Sequence, residues 1–240
     1  MTTFVLVPGM WIGAWAWHDV TARLRADGHD VYPLTLTGVA DRLHAGGPGT
    51  DLDIHTTDIT ALVEAEELTD VVLVGHSYGG SPVTSAADRI PDRIRHLVYV
   101  DSGPLPDGTA QLDTNDAETR AATVAQVGDG WQVPPPVWAE LAEPLRAGLT
   151  PTMLATLGRR ATTHPYPSIA QPLRRTGAGD KLPRTLIAST FPLDMVRSMI
   201  SDGHPYFADL ADATIVGLPT GHWPMFSEPT ALASALSAIR

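Results

Sequence analysis

Four short apolar runs set the rhythm of the first hundred residues. Phe4-Val5-Leu6-Val7, closed by Pro8-Gly9, and Val71-Val72-Leu73-Val74, closed by Gly75, are continuously apolar, as strands covered on both faces must be. Val31-Tyr32-Pro33-Leu34-Thr35-Leu36 reads as a strand whose Pro33 assigns it an edge or bulged position, and Leu97-Val98-Tyr99-Val100 as another. Between them, residues 15–26 place Trp17, Val20 and Leu24 at helical spacing, with Gly28 as the stop. Residues 54–68 turn Ile54, Ile59, Leu62 and Val63 inward, and a third helix runs from Gly80 to near Ile90-Pro91. Residues 37–53, rich in glycine, form a loop. Strands alternating with helices through short connections imply right-handed crossovers and a parallel sheet.

The rhythm breaks after Asp101. From residue 103 to residue 182 no strong strand signal occurs, and Pro134-Pro135-Pro136, Pro151, Pro165 and Pro167 cut the helical pieces short. A stretch of that length is too long for a plain loop in a compact domain, so it reads as a helical insertion lying over the sheet. Strand signals return at Thr185-Leu186-Ile187-Ala188 and Thr214-Ile215-Val216-Gly217-Leu218, before a last amphipathic helix over residues 229–239. No internal repeat or low-complexity tract is present.

Composition narrows the function classes. The 240 residues carry 16 basic against 27 acidic side chains, a formal charge of −11, and 43% of them are hydrophobic. That is enough apolar material for one sizeable core. The acidic balance argues against nucleic acid or an anionic membrane as partner, since phosphate binding draws on basic patches. Lys181 is the one lysine, so the positive charge is otherwise arginine. Without cysteine there is no disulfide, thiolate nucleophile or Cys-based metal site. The opening apolar run lacks a basic flank and stops at Pro8-Gly9, and no window reaches the roughly 18 apolar residues of a membrane span. A soluble cytoplasmic protein is the expectation.

Candidate chemistry gathers where strands end. Gly75-His76-Ser77-Tyr78-Gly79 is a G-x-S-x-G segment between the strongest strand and a helix, the setting of a nucleophile elbow. Such a turn projects Ser77 at a helix N-terminus, where backbone N–H groups favour developing negative charge. A serine needs a base, and His222 in Thr220-Gly221-His222-Trp223-Pro224 lies between the last strand and the last helix, at the same sheet edge as Ser77. His76 adjoins Ser77, but the sharp turn should aim it away. The orienting acid should follow the strand Leu186-Ile187-Ala188. Asp194 is the nearest carboxylate there, with a helix N-cap as its competing role; Asp101, at the end of the strand Leu97-Val98-Tyr99-Val100, faces the same edge and is the alternative. Backbone N–H groups of Met10 and Tyr78 would converge beside Ser77 as an oxyanion hole, with Gly9 allowing the approach.

These segments resemble the α/β-hydrolase superfamily, and within it the branch of plant methyl esterases, hydroxynitrile lyases and their bacterial relatives. The opening strand followed by H-G-x-x-x-G-x-W-x-W in that branch corresponds to Val7-Pro8-Gly9-Met10-Trp11-Ile12-Gly13-Ala14-Trp15-Ala16-Trp17. Thr35-Leu36-Thr37-Gly38, Gly75-His76-Ser77-Tyr78-Gly79-Gly80 and Leu97-Val98-Tyr99-Val100-Asp101 also match bacterial members. The chain departs from the pattern at Pro8 and Ile12, where histidines are common. It departs again at Ser189-Thr190-Phe191-Pro192, where the family's C-T-x-D pattern would have its acid; Asp194 stands 28 residues before His222, a separation that suits the family. Gly9 and Trp223 stand where hydroxynitrile lyases use Thr and Lys, which argues against cyanohydrin cleavage.

The expectation is therefore an α/β-hydrolase fold: a mostly parallel sheet of about six strands with helices on both faces. Residues 1–102 and 183–240 would form the core, and residues 103–182 a helical cap or lid. Ser77, His222 and Asp194 would cleave a small carboxylic ester or lactone through an acyl-enzyme, with no cofactor or metal. Trp11, Trp131, Trp138, Phe191, Trp223 and Met225 would line a pocket for an apolar or aromatic acyl group. A lyase or polyketide-tailoring enzyme on the same scaffold, and a ligand-binding protein descended from an esterase, are the alternatives. Family members often pair through the cap, so the resemblance admits a homodimer.

Overall fold

The computed structural model describes residues 1–204 and 207–239. Its sheet has six parallel strands in the order β2-β1-β3-β4-β7-β8. These are β1 (Thr3–Val7), β2 (Asp30–Pro33), β3 (Val71–His76), β4 (Ile94–Val100), β7 (Arg184–Ala188) and β8 (Thr214–Gly217). Two residue pairs in the intervening segment, β5 (Gln132–Val133) and β6 (His164–Pro165), pair antiparallel outside the sheet. β2 ends at Pro33, short of the predicted Leu36, and lies at the edge of the sheet, the position a residue without a ladder N–H requires.

Residues alternate between the two faces along each strand, which gives two cores. Phe4, Leu6, Val72, Val74, Val98 and Val100 bury against Trp17, Val20 and Leu24 of the first helical segment and against Leu232 and Leu236. The helices on that face are α1 (His18–Ala26), which Gly28 follows at φ +82°, and α10 (Pro229–Ser237). Val5, Val7, Leu73, Leu97 and Tyr99 bury on the opposite face against α2 (Leu52–Ala65) and α3 (Gly80–Arg89). α2 begins two residues before the predicted start because Asp51 caps it, its carboxylate accepting the Ile54 N–H at 3.0 Å. Leu73 is fully buried, so truncating it to alanine should cost about 2–5 kcal/mol.

Between β4 and β7 lie four short helices, α4 (Ala117–Val127), α5 (Glu143–Arg146), α6 (Pro151–Arg160) and α7 (Tyr166–Ala170). After β7 come α8 (Leu193–Ser201) and, beyond β8, α9 (Pro224–Ser227). No helix among the described residues is long and apolar enough to cross a membrane. In a parallel sheet every strand ends at one edge, and Ser77, Asp101, Ser189 and the loop after β8 all sit there. Lys181, exposed in the turn that leads into β7, lies at the opposite, amino edge.

Candidate active site

The turn after β3 puts Ser77 at φ +51°, a left-handed conformation that a side-chain-bearing residue holds only where its surroundings enforce it. Two close packings do so. A Cβ on Gly79 would lie 2.8 Å from the carbonyl oxygens of Val7 and Pro8, and one on Gly9 would lie 3.0 Å from Ser77 Cβ and His76 Nδ1. A side chain at Gly79 would run into backbone and one at Gly9 would crowd Ser77 and His76, so the loop after β1 and the turn after β3 are pressed together, and Met10 lines the same cavity as the serine. Ser102 adds a tie from the neighbouring strand end, its hydroxyl donating to the Ser77 carbonyl at 2.5 Å.

His222 reaches Ser77 from the loop before α9. Its Nε2 lies 2.8 Å from Ser77 Oγ, and its Nδ1 lies 2.5 Å from Asp101 Oδ2. An ionised carboxylate only accepts, so Nδ1 carries the proton and Nε2 is left to accept from the serine hydroxyl. The loop is held by three backbone contacts. His222 N–H donates to Leu145 O at 2.7 Å, Gly221 N–H to Ala147 O at 3.0 Å, and His76 Nε2–H donates to His222 O at 2.6 Å. His76 is fully buried, and burial together with the neighbouring His222 drives its pKa down to about 3. It is therefore neutral, with Nε2–H as its one donor.

The acid is where the expectation needs correction. Asp194 sits in the first turn of α8 with a side chain 98% exposed, its Oδ1 3.5 Å from Arg197. It neither meets His222 nor caps the helix, whose N-cap is Pro192. The turn at Phe191-Pro192 starts α8 one residue before Asp194 and points that carboxylate to solvent, where it complements the helix dipole. Asp101 takes the place beside His222. It stands at φ +47° directly after β4, and the β7 loop grips both its oxygens. Oδ1 accepts from the N–H groups of Ser189 at 3.1 Å and Thr190 at 2.9 Å, and Oδ2 accepts from the Thr190 hydroxyl at 2.6 Å. Burial works to raise the Asp101 carboxyl, but the hydrogen bond and charge of His222, with the Thr190 donors, hold it well below the usual carboxylate range.

Two cavities meet at Ser77 and His222. The larger, about 550 Å³, runs past Met10 and Trp11 to Val133, Leu141, Ile169 and Trp223. The smaller, about 390 Å³, lies on the Asp101 side against Leu186, Thr190, Phe191, Val196 and Met199. Trp11 and Trp223 line the larger cavity and Phe191 the smaller. Trp138 does not line either cavity; it is buried behind the larger one, edge-on to Trp11 at 6.2 Å and to Trp223 at 5.1 Å between ring centroids. Trp131 packs against Gly46 in the loop after β2, and Met225 is buried in the core beside α10, so neither belongs to the pocket. Sequence reasoning passed over Thr190 and the structural part of His76. Both lie inside segments that matter for other residues, His76 in the G-x-S-x-G turn and Thr190 just before the sought acid, and their partners are set by the tertiary fold.

A strained serine between strand and helix, a histidine after the last strand and a parallel sheet in this order define a hydrolase scaffold. The chain matches the alpha/beta hydrolase family over residues 4–235, and it belongs to that family. It is 33% identical to a carbendazim hydrolyzing esterase from Nocardioides sp. (strain SG-4G) over 252 aligned positions that span all of both chains. Methylesterase 8 of Arabidopsis thaliana is 39% identical over 110 residues, which cover 41% of this chain and 37% of that protein. Among solved structures, an extracellular alpha/beta-hydrolase from a Paenibacillus species superposes with a TM-score of 0.82 at 20% identity, covering 98% of each chain. That likeness concerns the fold.

Proposed function

We propose that the protein hydrolyses small carboxylic esters through an acyl-enzyme formed on Ser77. The observation that carries this is the unbroken relay from Ser77 Oγ through His222 to Asp101, at 2.8 and 2.5 Å. His222 Nε2 takes the hydroxyl proton as Ser77 Oγ bonds to the ester carbonyl carbon. Asp101 stays ionised and stabilises the imidazolium without itself taking the proton. The N–H groups of Met10 and Tyr78 serve the negative oxygen of the tetrahedral intermediate, each such donor being worth about 10²–10³ in kcat. Collapse expels the alkoxide, which receives the proton from His222, and a water then repeats the sequence on the acyl-serine.

The esterase names of the relatives support the reaction class, and the Trp11, Trp223, Val133 and Ile169 lining of the larger cavity supports an apolar or aromatic acyl group. In this reading residues 103–182 act as a cap that roofs the cleft, and carbendazim joins simple aryl esters as a substrate to try. Time-resolved mass spectrometry of the intact protein with a p-nitrophenyl ester series tests it. A burst of p-nitrophenol with one acyl mass on the wild type, and neither on Ser77→Ala, is the expected result. A folded wild type with no burst and no label overturns the proposal.

A further inference from the structure

Tyr78 follows Ser77 and is almost wholly buried, yet its hydroxyl does not reach the cleft. It enters a closed set of polar side chains beneath the turn. His55 of α2 places Nε2 2.8 Å from the Thr37 carbonyl oxygen and Nδ1 2.7 Å from Tyr78 Oη. A carbonyl only accepts, so Nε2 bears the His55 proton and Tyr78 O–H donates to Nδ1, with the Ser168 carbonyl oxygen as a second, longer acceptor at 3.4 Å. Burial lowers the His55 pKa and keeps that tautomer neutral. Thr37 is fastened in turn: its N–H and hydroxyl donate to the two Asp58 oxygens at 2.7 and 2.8 Å, and Arg42 bridges Asp58 and the Thr37 hydroxyl.

The inserted segment closes the other side. His164 is fully buried and packs edge-on against Tyr78 at 4.7 Å and His55 at 5.6 Å between centroids. The Ser168 hydroxyl donates to Pro165 O at 2.7 Å, so its oxygen accepts from His164 Nε2–H at 3.0 Å. The ring of Tyr78 is thus gripped by α2, by the loop after β2 and by the segment from β6 to α7. Its main chain continues the strained Ser77 turn. Such a conformation persists only where the surroundings over-determine it.

We infer that Tyr78 is a positioning residue whose side chain, clamped by His55 and His164, fixes the orientation of its own backbone N–H toward the Ser77 oxyanion. The inference rests on the ester-hydrolase reading. Through this clamp, packing of the inserted segment is felt at the donor that stabilises the transition state.

The test uses wild type, Tyr78→Phe, His55→Leu and the double variant, all full length. The readouts are p-nitrophenyl ester turnover and affinities for a trifluoromethyl ketone, which adds to the serine as an oxyanion, and for the amide of the same acyl group. Removing the Tyr78 hydroxyl should lower kcat about tenfold with KM within about twofold, a fraction of the loss of a whole donor. Ketone affinity should fall in parallel with kcat while amide affinity holds, and the double variant should lose no more than His55→Leu alone. Unchanged kcat and ketone affinity in Tyr78→Phe, or equal losses for ketone and amide, overturn the clamp. Should His55→Leu fail to fold, Tyr78→Phe decides alone. A wild type without an acyl burst defeats the ester-hydrolase reading itself; a wild-type burst with an indifferent Tyr78→Phe defeats only the clamp.

Discussion

The loops that leave β4 and β7 sit side by side at the same sheet edge, and each follows a strand whose last residues are apolar and buried. One supplies a carboxylate to His222 and the other supplies the donors that hold it. Asp101 stands in a left-handed conformation immediately at the end of β4, so its side chain turns back toward the histidine. The β7 loop has a carboxylate too, but Phe191-Pro192 carries the chain into α8 before Asp194 arrives, and that side chain looks outward. Distance along the chain is thus a poor guide to an acid's partner. What decides is whether the residue stands at the strand end, where side-chain direction is fixed, or one turn later, where a helix has taken over.

The largest effect expected from breaking this contrast is Asp101→Asn, which should lower kcat by about 10³–10⁴ by favouring the wrong His222 tautomer, read by steady-state kinetics on an ester. Thr190→Val comes next. It removes the hydroxyl from Asp101 Oδ2 and leaves both backbone donors, so kcat should fall about tenfold, with Thr190→Ser restoring most of it. Because the carboxylate then leans more on His222, the acid limb of the kcat/KM profile should move to higher pH in Thr190→Val. The buried support of the His222 loop has a pH signature of its own. His76 titrates near 3 in the folded chain and near 6.5 when unfolded, so the unfolded state binds more protons between those values. Stability should therefore be full above pH 6.5 and fall as the pH drops toward 3, by about 1.4 kcal/mol per pH unit for this group. Chemical denaturation across that range would show it, and a flatter curve in His76→Gln would assign it. The smallest effect belongs to Asp194→Asn, whose kcat should stay within about twofold of wild type because the carboxylate is on the surface. A large loss there would return the acid to the β7 loop.

The scaffold was legible because the inner strands of a parallel sheet write themselves as apolar runs, and the six strand signals match the six strands of the sheet. Ser77 and His222 were legible for a related reason: both follow strand signals, and parallel strands all end at one edge of the sheet. Strand ends moved by a few residues. β4 starts at Ile94 rather than Leu97: Arg95 and His96 interrupt the apolar pattern, and the register with β3 slips at Arg95, with Ile94 opposite Val71 and His96 opposite Val72. Asp194 ranks ahead of Asp101 in the sequence because it is the nearest carboxylate after the β7 run, whereas the turn at Pro192 that carries it to the surface is local backbone geometry. Trp138 was expected in the pocket from its hydrophobicity, which does not distinguish the wall of a cavity from the ring behind it. The inserted segment was opaque because α5 and α7 span only 4 and 5 residues and α4 buries none of its side chains, so no apolar face is written there.

Lys181 has a practical consequence. It offers the one side-chain amine in the chain, and it lies at the amino edge of the sheet while Ser77 and His222 occupy the carboxyl edge. Chemistry that joins lysine to a resin, a dye or an electrode therefore attaches the molecule by its back. Every molecule held through that amine presents its cleft outward, and a label placed there sits a full strand length from Ser77.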